Sequence, residues 1–148
     1  MNKINLRGLE LKVFIEQDAL DYCQLNDINL SDITELDLSW NKLTDISGIK
    51  LFKNLKYLDL DNNELTDIFV LKDLNFLEFL GLSNNNIKDI SIVKNLTNLK
   101  ALNINDLKLR SNQIQYINSC KNLKELICNY NGFKNKSVLK QLNKNIKV

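Results

Sequence analysis

Three consecutive segments of the chain repeat one pattern of apolar positions with a period of 22 residues, and this repeat limits the fold more than any other feature. The segments are 33–54 (ITELDLSWNKLTDISGIKLFKN), 55–76 (LKYLDLDNNELTDIFVLKDLNF) and 77–98 (LEFLGLSNNNIKDISIVKNLTN). Each follows L-x-x-L-x-L-x-x-N-x-L/I-x-x-I, with isoleucine first in the first copy, and then two more apolar residues three positions apart. No single repeat buries its own apolar side, so the repeats must stack on one another.

The spacing within a repeat predicts its local structure. Leu58-x-Leu60 alternates with a period of two, which indicates a short strand with one buried face. Asn63 then turns the chain, because its side chain bonds to backbone groups that the turn leaves open. The apolar residues at every third position after it favour 3₁₀ or extended turns that point inward. Stacked repeats of this kind form a solenoid with a parallel sheet along one face.

This pattern resembles the leucine-rich-repeat family, and the 22-residue length with the T-D-I tripeptides at Thr44 and Thr66 is similar to its internalin and SDS22-like subclasses. The resemblance covers about residues 33–131. It implies an α/β solenoid with a curved parallel sheet on the concave face, 3₁₀ or irregular turns on the convex side, and caps at both ends. The family mostly supplies binding surfaces for many unrelated partners, so the resemblance constrains the fold more tightly than the function.

The fourth repeat departs from the pattern. It spans 24 residues, and Leu107 replaces the expected asparagine. Two registers fit, because Leu107-x-Leu109-x-x-Asn112 also matches the motif. We favour residues 102–104 as the strand, since this choice keeps the 22-residue step from Leu80. Residues 105–111 are then expected to bulge from the loop edge, either as part of a binding face or as a neutral insertion.

The whole chain is predicted to be one domain, with an N-terminal cap (1–32), about five repeats (33–133) and a C-terminal cap (134–148). In the first cap, residues 17–25 are predicted to form a short helix with Leu20 and Cys23 on one face. The alternating residues Leu9, Leu11 and Val13 predict a strand. The second cap is expected to contain a short helix with four apolar residues, Val138, Leu139, Leu142 and Ile146.

Composition argues against catalysis. The chain has no histidine, and its four glycines are isolated, so the usual general base and a phosphate-binding loop are both missing. We therefore expect no enzyme activity, no cofactor and no metal. The net charge of +2 is too small to argue for nucleic acid, and no apolar run predicts a membrane span or a signal peptide. These features favour a cytoplasmic monomer that binds neither nucleic acid nor membranes.

The informative residues are those that the repeat does not need for folding. Side chains between the buried strand leucines point to the concave face, and the positions assigned to that face contain no lysine or arginine. The candidate partner-binding residues are mostly acidic or aromatic: Glu35, Asp37, Trp40, Tyr57, Asp59, Asp61, Phe79, Asn103, Asp106, Glu125 and Tyr130.

Adjacent strands lie about 4.8 Å apart, so Tyr57 and Phe79 are expected to be neighbours. The carboxylates of the first two repeats are expected to form one cluster: Glu35, Asp37, Asp59 and Asp61. Exposed aromatic rings beside charge are typical of a protein-binding hot spot, and the predicted partner is a protein with a basic surface. The alternative is a solvated sheet face without a binding role, on which the aromatic residues are present only because they favour β-strands.

The sequence leaves four further functions to compare with this prediction. An inhibitor or immunity-type protein that masks a basic enzyme or toxin is a sharper form of the same prediction. An internalin-like surface adhesin requires export and an anchor, for which the sequence shows no signal. Nucleic-acid binding conflicts with the acidic face. A metal-dependent hydrolase built on the carboxylate cluster lacks a supporting loop motif.

Overall fold

The computed structural model describes residues 2–133 and 139–148. Its strands form one parallel sheet in which each strand pairs with the next along the chain. The strands are β1 (Lys3–Asn5), β2 (Glu35–Asp37), β3 (Tyr57–Asp59), β4 (Phe79–Gly81), β5 (Ala101–Asn103) and β6 (Glu125–Ile127). The α-helices are α1 (Glu16–Leu25) and α2 (Ile114–Asn118), and the 3₁₀ helices are Leu30–Asp32, Ser47–Leu51, Phe69–Asp73, Ser91–Asn95 and Ser111–Gln113.

The register of the sheet follows the sequence period. Leu58 pairs with Leu36 on one side and with Leu80 on the other, and Leu80 pairs with Leu102. These leucines are almost fully buried and stack into one continuous core. Each buried leucine contributes about 1.5–3 kcal/mol relative to an exposed one. The predicted solenoid and the favoured register of the fourth repeat are therefore confirmed.

The repeated asparagine closes the turn after each strand, as predicted. The Asn63 amide donates to the carbonyl oxygens of Leu60 and Leu38, each at 3.0 Å. Its Oδ1 accepts the N–H of Leu43 at 3.0 Å. Because these partners lie in two adjacent repeats, one buried side chain both closes its own turn and joins the repeats. The equivalent residues Asn41, Asn85 and Asn131 likewise donate to a carbonyl oxygen of the preceding repeat.

The strand predicted at Leu9, Leu11 and Val13 is wrong. The first strand is β1, and Ile4 pairs with Leu36 in the same register as the later repeats. Residues 11–14 instead lie beside residues 42–45 of the next repeat, where Val13 forms only an isolated bridge with Asp45. The sequence pattern missed β1 because 32 residues separate Ile4 from Leu36, ten more than the period.

Those extra residues form α1, which replaces the 3₁₀ turn of an ordinary repeat. The predicted helix is present, and Cys23 is buried as expected. Leu20 is exposed, however, and the residue that faces the core beside Cys23 is Ala19. A small residue at this contact lets the helix backbone approach the 3₁₀ helix Ser47–Leu51.

The bulge predicted for residues 105–111 is also wrong. Leu107 and Leu109 are buried and take the positions of Asn85 and Ile87 in the third repeat. The two additional residues of this repeat lie on the convex side, where Ser111–Gln113 and α2 replace a single 3₁₀ helix. An α-helix rises about 1.5 Å per residue and a 3₁₀ helix about 2.0 Å. The longer segment therefore spans a distance similar to that of the 3₁₀ segment in the other repeats.

The C-terminal end continues the solenoid. Lys147 forms a parallel bridge with Glu125, and Leu142 is buried against the last repeat. Leu139 and Ile146 pack on the same core, whereas Val138 lies outside the described residues. Among the described residues, no helix has the length and apolarity needed to cross a bilayer.

Candidate functional site

The concave face is a grid of side chains in three rows that run across the strands. The first row is Lys3, Glu35, Tyr57, Phe79, Ala101 and Glu125. The second row is Asn5, Asp37, Asp59, Gly81, Asn103 and Ile127. The third row follows the strand ends and is Arg7, Ser39, Asp61, Ser83, Asn105 and Asn129. Residues in one row of adjacent strands are close neighbours, so the rows decide which side chains meet.

Two aromatic rings stack in the first row. The ring centroids of Tyr57 and Phe79 are 4.4 Å apart, and the planes differ by 7°. Their predicted adjacency is therefore confirmed. Burial raises the pKa of the Tyr57 hydroxyl, and the nearby carboxylates of Asp59 and Asp37 raise it further. The ring pair thus lies directly beside negative charge.

Three of the four carboxylates predicted to cluster do so. Asp37 and Asp59 are cross-strand partners, and Asp61 lies next to them in the third row. Burial is the main cause that raises the pKa of Asp61 to about 6, and the charge of Asp59 adds to it. Burial also raises the pKa of Asp59. Glu35 lies apart in the first row, where Lys3 Nζ is 3.6 Å from its carboxylate.

Gly81 explains why Asp61 is half-buried. In the neighbouring repeats, a side chain in the second row accepts the N–H two residues later, as Asp59 does from Asp61 at 2.9 Å. Gly81 has no side chain, so the N–H of Ser83 lacks this acceptor. Asp61 crosses from the preceding repeat and accepts that N–H at 2.6 Å. A Cβ atom at position 81 would lie 2.8 Å from the Oδ1 atoms of both Asp59 and Asp61.

The prediction that the concave face contains no basic residue is wrong. Arg7 follows β1, and its guanidinium lies 5.5 Å from the centroid of the Trp40 ring. Its Nη1 donates to Ser39 Oγ at 2.9 Å. The Arg7 charge opposes the rise in the pKa values of Asp59 and Asp61. The sequence pattern missed Lys3 and Arg7 because it did not identify β1.

A rim of residues with left-handed backbone borders the third row. All five have φ between 52° and 58°: Trp40, Asn62, Asn84, Asp106 and Tyr130. Asparagine and aspartate tolerate this conformation, whereas bulky aromatic residues rarely adopt it. Trp40 is nevertheless 56% exposed and Tyr130 is 80% exposed. Two strained aromatic side chains therefore point into solvent at opposite ends of the rim.

The remaining candidate residues are spread over the later repeats. Asn103 donates from Nδ2 to Asp61 Oδ2 at 2.8 Å, so it belongs to the same hydrogen-bond network. Glu125 is exposed on β6. Asp106 and Tyr130 line a recess of about 700 Å³ at the C-terminal end. Within residues 2–133 and 139–148, no group of three or more potential ligand side chains has metal-binding geometry.

Comparison with known proteins identifies relatives of this architecture. Residues 31–74 match the family model for Leucine Rich repeats (2 copies). No match was found among curated proteins. An internalin (inlF) from Listeria monocytogenes is similar in structure, with a TM-score of 0.72 and 29% sequence identity over 78% of this chain and 34% of that one.

Two further structures show the same likeness. An internalin C2 from Listeria monocytogenes has a TM-score of 0.62 and 30% identity over 66% of this chain and 42% of that chain. The ectodomain of the receptor kinase SOBIR1 from Arabidopsis thaliana has a TM-score of 0.62 and 25% identity over 86% of this chain and 68% of that chain. The chain thus spans less than half the length of either internalin. The fold of this chain is a leucine-rich-repeat solenoid, and it is similar to the repeat regions of the two internalins.

Proposed function

We propose that this chain is a non-catalytic protein-interaction module that binds a partner with a basic surface through the concave face. The observation that carries the proposal is the pair of strained, exposed aromatic residues on the rim. Trp40 and Tyr130 stand in left-handed positions where Asn62 and Asn84 fit without strain. Strain of this kind costs about 1–3 kcal/mol, and strained residues cluster at functional sites.

The chemistry of the face supports a basic partner. Asp37, Asp59 and Asp61 lie together beside the stacked rings of Tyr57 and Phe79. Aromatic anchors with neighbouring charge are typical of binding hot spots, and complementary charge speeds encounter. The structural relatives, two internalins and a receptor ectodomain, are consistent with a binding module.

The same geometry disfavours catalysis. A general acid or base acts best when its pKa is near the working pH and a substrate site lies within hydrogen-bond reach. Asp61 has a raised pKa, but Ser83 N–H and the Asn103 amide already occupy its two oxygens. Its hydrogen bonds thus give it a role in joining repeats.

Selection from a displayed random dodecapeptide library tests the proposal. The wild-type chain is the bait, and the readout is the amino-acid composition of the enriched peptides. We expect enrichment of lysine and arginine. The double variant Asp37→Asn/Asp59→Asn should lose these peptides, because it removes two charges while its amide oxygens can still accept the turn N–H groups.

A matched control removes the same number of charges elsewhere. Glu64→Gln/Asp73→Asn alters two exposed carboxylates that lie off the concave face. This control should retain the peptides selected by the wild type. Peptides without a basic bias, or equal loss of binding in both double variants, would contradict the proposal.

A further inference from the structure

The first row of the concave face contains an open slot between an aromatic ring and a carboxylate. Along this row, Phe79 on β4 is followed by Ala101 on β5 and by Glu125 on β6. One face of the Phe79 ring is covered by Tyr57. On the other side of Phe79 the next residue of the row is Ala101, whose methyl group is too small to cover a phenyl ring.

The dimensions of the slot fit a flat group. Phe79 and Glu125 are two strand spacings apart, which is roughly 9–10 Å between their backbones. A planar group stacked about 3.5 Å from the phenyl face therefore occupies the space above Ala101 and leaves room for the Glu125 side chain beyond it. Gly81, next to Phe79 on β4, has no side chain, and the carboxylates of Asp59 and Asp61 lie over it.

The charge of the slot selects a cation. Glu125 is exposed, and none of the ion pairs among the described residues involves it. Its neighbour on the far side is Lys147, which lies beside it without forming such a pair. Asn103 lies next to Ala101 along β5, and its Oδ1 carries one hydrogen bond, from the N–H of Asn105 at 3.1 Å. A second lone pair of that oxygen remains for a donor.

The concave face already shows how it holds a guanidinium. Arg7 lies over the Trp40 ring and donates to Ser39 Oγ at its side. This arrangement combines an aromatic face with an adjacent oxygen acceptor, and the slot at Ala101 offers the same two elements with a carboxylate added. A guanidinium is planar and weakly hydrated, and it stacks on aromatic rings more readily than an ammonium group.

We propose that the slot formed by Phe79, Ala101, Asn103 and Glu125 is a subsite for an arginine side chain of the partner. The guanidinium stacks on the free face of Phe79, Glu125 supplies the opposite charge, and Asn103 Oδ1 accepts one N–H. This inference rests on the proposed function, since it names the residue type that the concave face recognises.

A titration followed by ¹H–¹⁵N correlation spectra tests the subsite without knowledge of the partner. The probe is N-acetyl-arginine methylamide. The comparison probes are N-acetyl-citrulline methylamide, which has the same shape without charge, and N-acetyl-lysine methylamide, which has the charge without the plane. We expect saturable shifts at residues 79–81 and 101–103 with a dissociation constant on the order of 1–10 mM for arginine. Binding of citrulline and lysine should be at least about five-fold weaker.

Three variants test the geometry. Ala101→Leu fills the slot from an outward-facing position and should weaken arginine binding by about ten-fold or more. Glu125→Gln removes the opposite charge from an exposed residue and should weaken it by about three-fold. The control Glu64→Gln lies off the concave face and should bind like the wild type. Unchanged amide spectra away from each substitution show that the variants fold.

Equal binding of the three probes, or arginine binding that Ala101→Leu leaves unchanged, would overturn the subsite. Absence of saturable shifts at residues 79–81 and 101–103 would overturn it as well. These failures differ from failure of the proposed function. Basic peptides that are selected by the wild type and lost in Asp37→Asn/Asp59→Asn would still establish the concave face as the binding surface.

Discussion

At the scale of single residues, the residue types that best suit the backbone of the rim differ from those that we propose for binding. The position that follows each strand requires a left-handed backbone, and Asn62, Asn84 and Asp106 meet this requirement with side chains that tolerate it. Trp40 and Tyr130 meet it against their steric preference. Substitution at these two positions therefore changes stability and binding in opposite directions.

Trp40→Asn is expected to raise the free energy of unfolding by about 1 kcal/mol, because asparagine relieves the strain at φ 58°. Loss of the Arg7 contact offsets part of this gain. The same variant should weaken binding of the selected peptides. Urea unfolding measures the first effect and peptide titration the second. Trp40→Phe keeps the strain and serves as the control, and a Trp40→Asn variant less stable than Trp40→Phe would contradict the prediction.

Asp61 makes stability depend on pH. Its pKa is about 6 in the folded chain and near 3.8 when unfolded, so the folded state binds more protons between these values. The contribution of Asp61 therefore lowers the free energy of unfolding as the pH rises from about 4 to 6, and this destabilisation is complete above the folded-state pKa. Urea unfolding over this range measures the slope, to which Asp59 contributes in the same direction as Asp61. Glu78, whose pKa is lowered by Lys100, contributes in the opposite direction.

Gly81→Asn tests the cause of this shift. The introduced amide oxygen can accept the Ser83 N–H, as Asn103 accepts that of Asn105, and its Cβ displaces the carboxylates of Asp59 and Asp61. Asp61 should then turn to solvent, and its pKa should fall toward the ordinary value. Carbon-detected NMR titration of the carboxyl groups measures this. A pKa of Asp61 that stays near 6 in the variant would show that Gly81 does not set it.

At the scale of elements, the fourth repeat shows how a solenoid absorbs extra residues. The longer convex segment places Gln113 in the interior, where its Oε1 accepts the N–H of Ile90 at 2.9 Å. This bond joins Ser111–Gln113 to the start of Ser91–Asn95 in the preceding repeat. A side chain thus supplies the junction between these two convex segments.

Gln113→Leu is expected to lower the free energy of unfolding by about 1–3 kcal/mol, because the buried N–H of Ile90 loses its acceptor. Thermal and urea unfolding measure the loss. Gln115→Leu is the matched control, since Gln115 is exposed on α2. If both variants lost the same stability, the hydrogen bond would not be the cause.

Whether an element could be predicted from the sequence depended on whether the 22-residue period was unbroken there. Strands β2 to β4 and the stack of Tyr57 on Phe79 were predictable, because an unbroken 22-residue period determines both register and face. Strand β1 was not, since α1 lengthens its repeat by ten residues and hides the period. The rim strain and the partial burial of Asp61 were also hidden, because they depend on backbone dihedral angles and on a hydrogen bond that crosses between repeats.

At the scale of the whole molecule, each repeat contacts mainly its neighbours, and the first repeat of this structure packs on the repeat that contains Gly48. Gly48 lies at that contact, buried next to the start of α1, and its N–H donates to the Phe14 carbonyl at 2.9 Å. The equivalent positions in the next two repeats hold Val70 and Ile92. Of these three positions, only position 48 requires glycine, since a Cβ atom there would collide with the backbone of Phe14 and Ile15.

Gly48→Ala is therefore expected to lower the free energy of unfolding by about 1–3 kcal/mol and to loosen the first repeat selectively. Amides of residues 3–25 should exchange with solvent faster than those of residues 57–104, because the central repeats keep their own contacts. Val70→Ala provides the control at the same position of the next repeat and should leave residues 3–25 protected. If residues 3–25 exchanged at the same rate in Gly48→Ala as in the wild type, this glycine would not be what holds the first repeat in place. Since Arg7 belongs to that repeat, its loosening should also uncover Trp40 and make the concave face more negative.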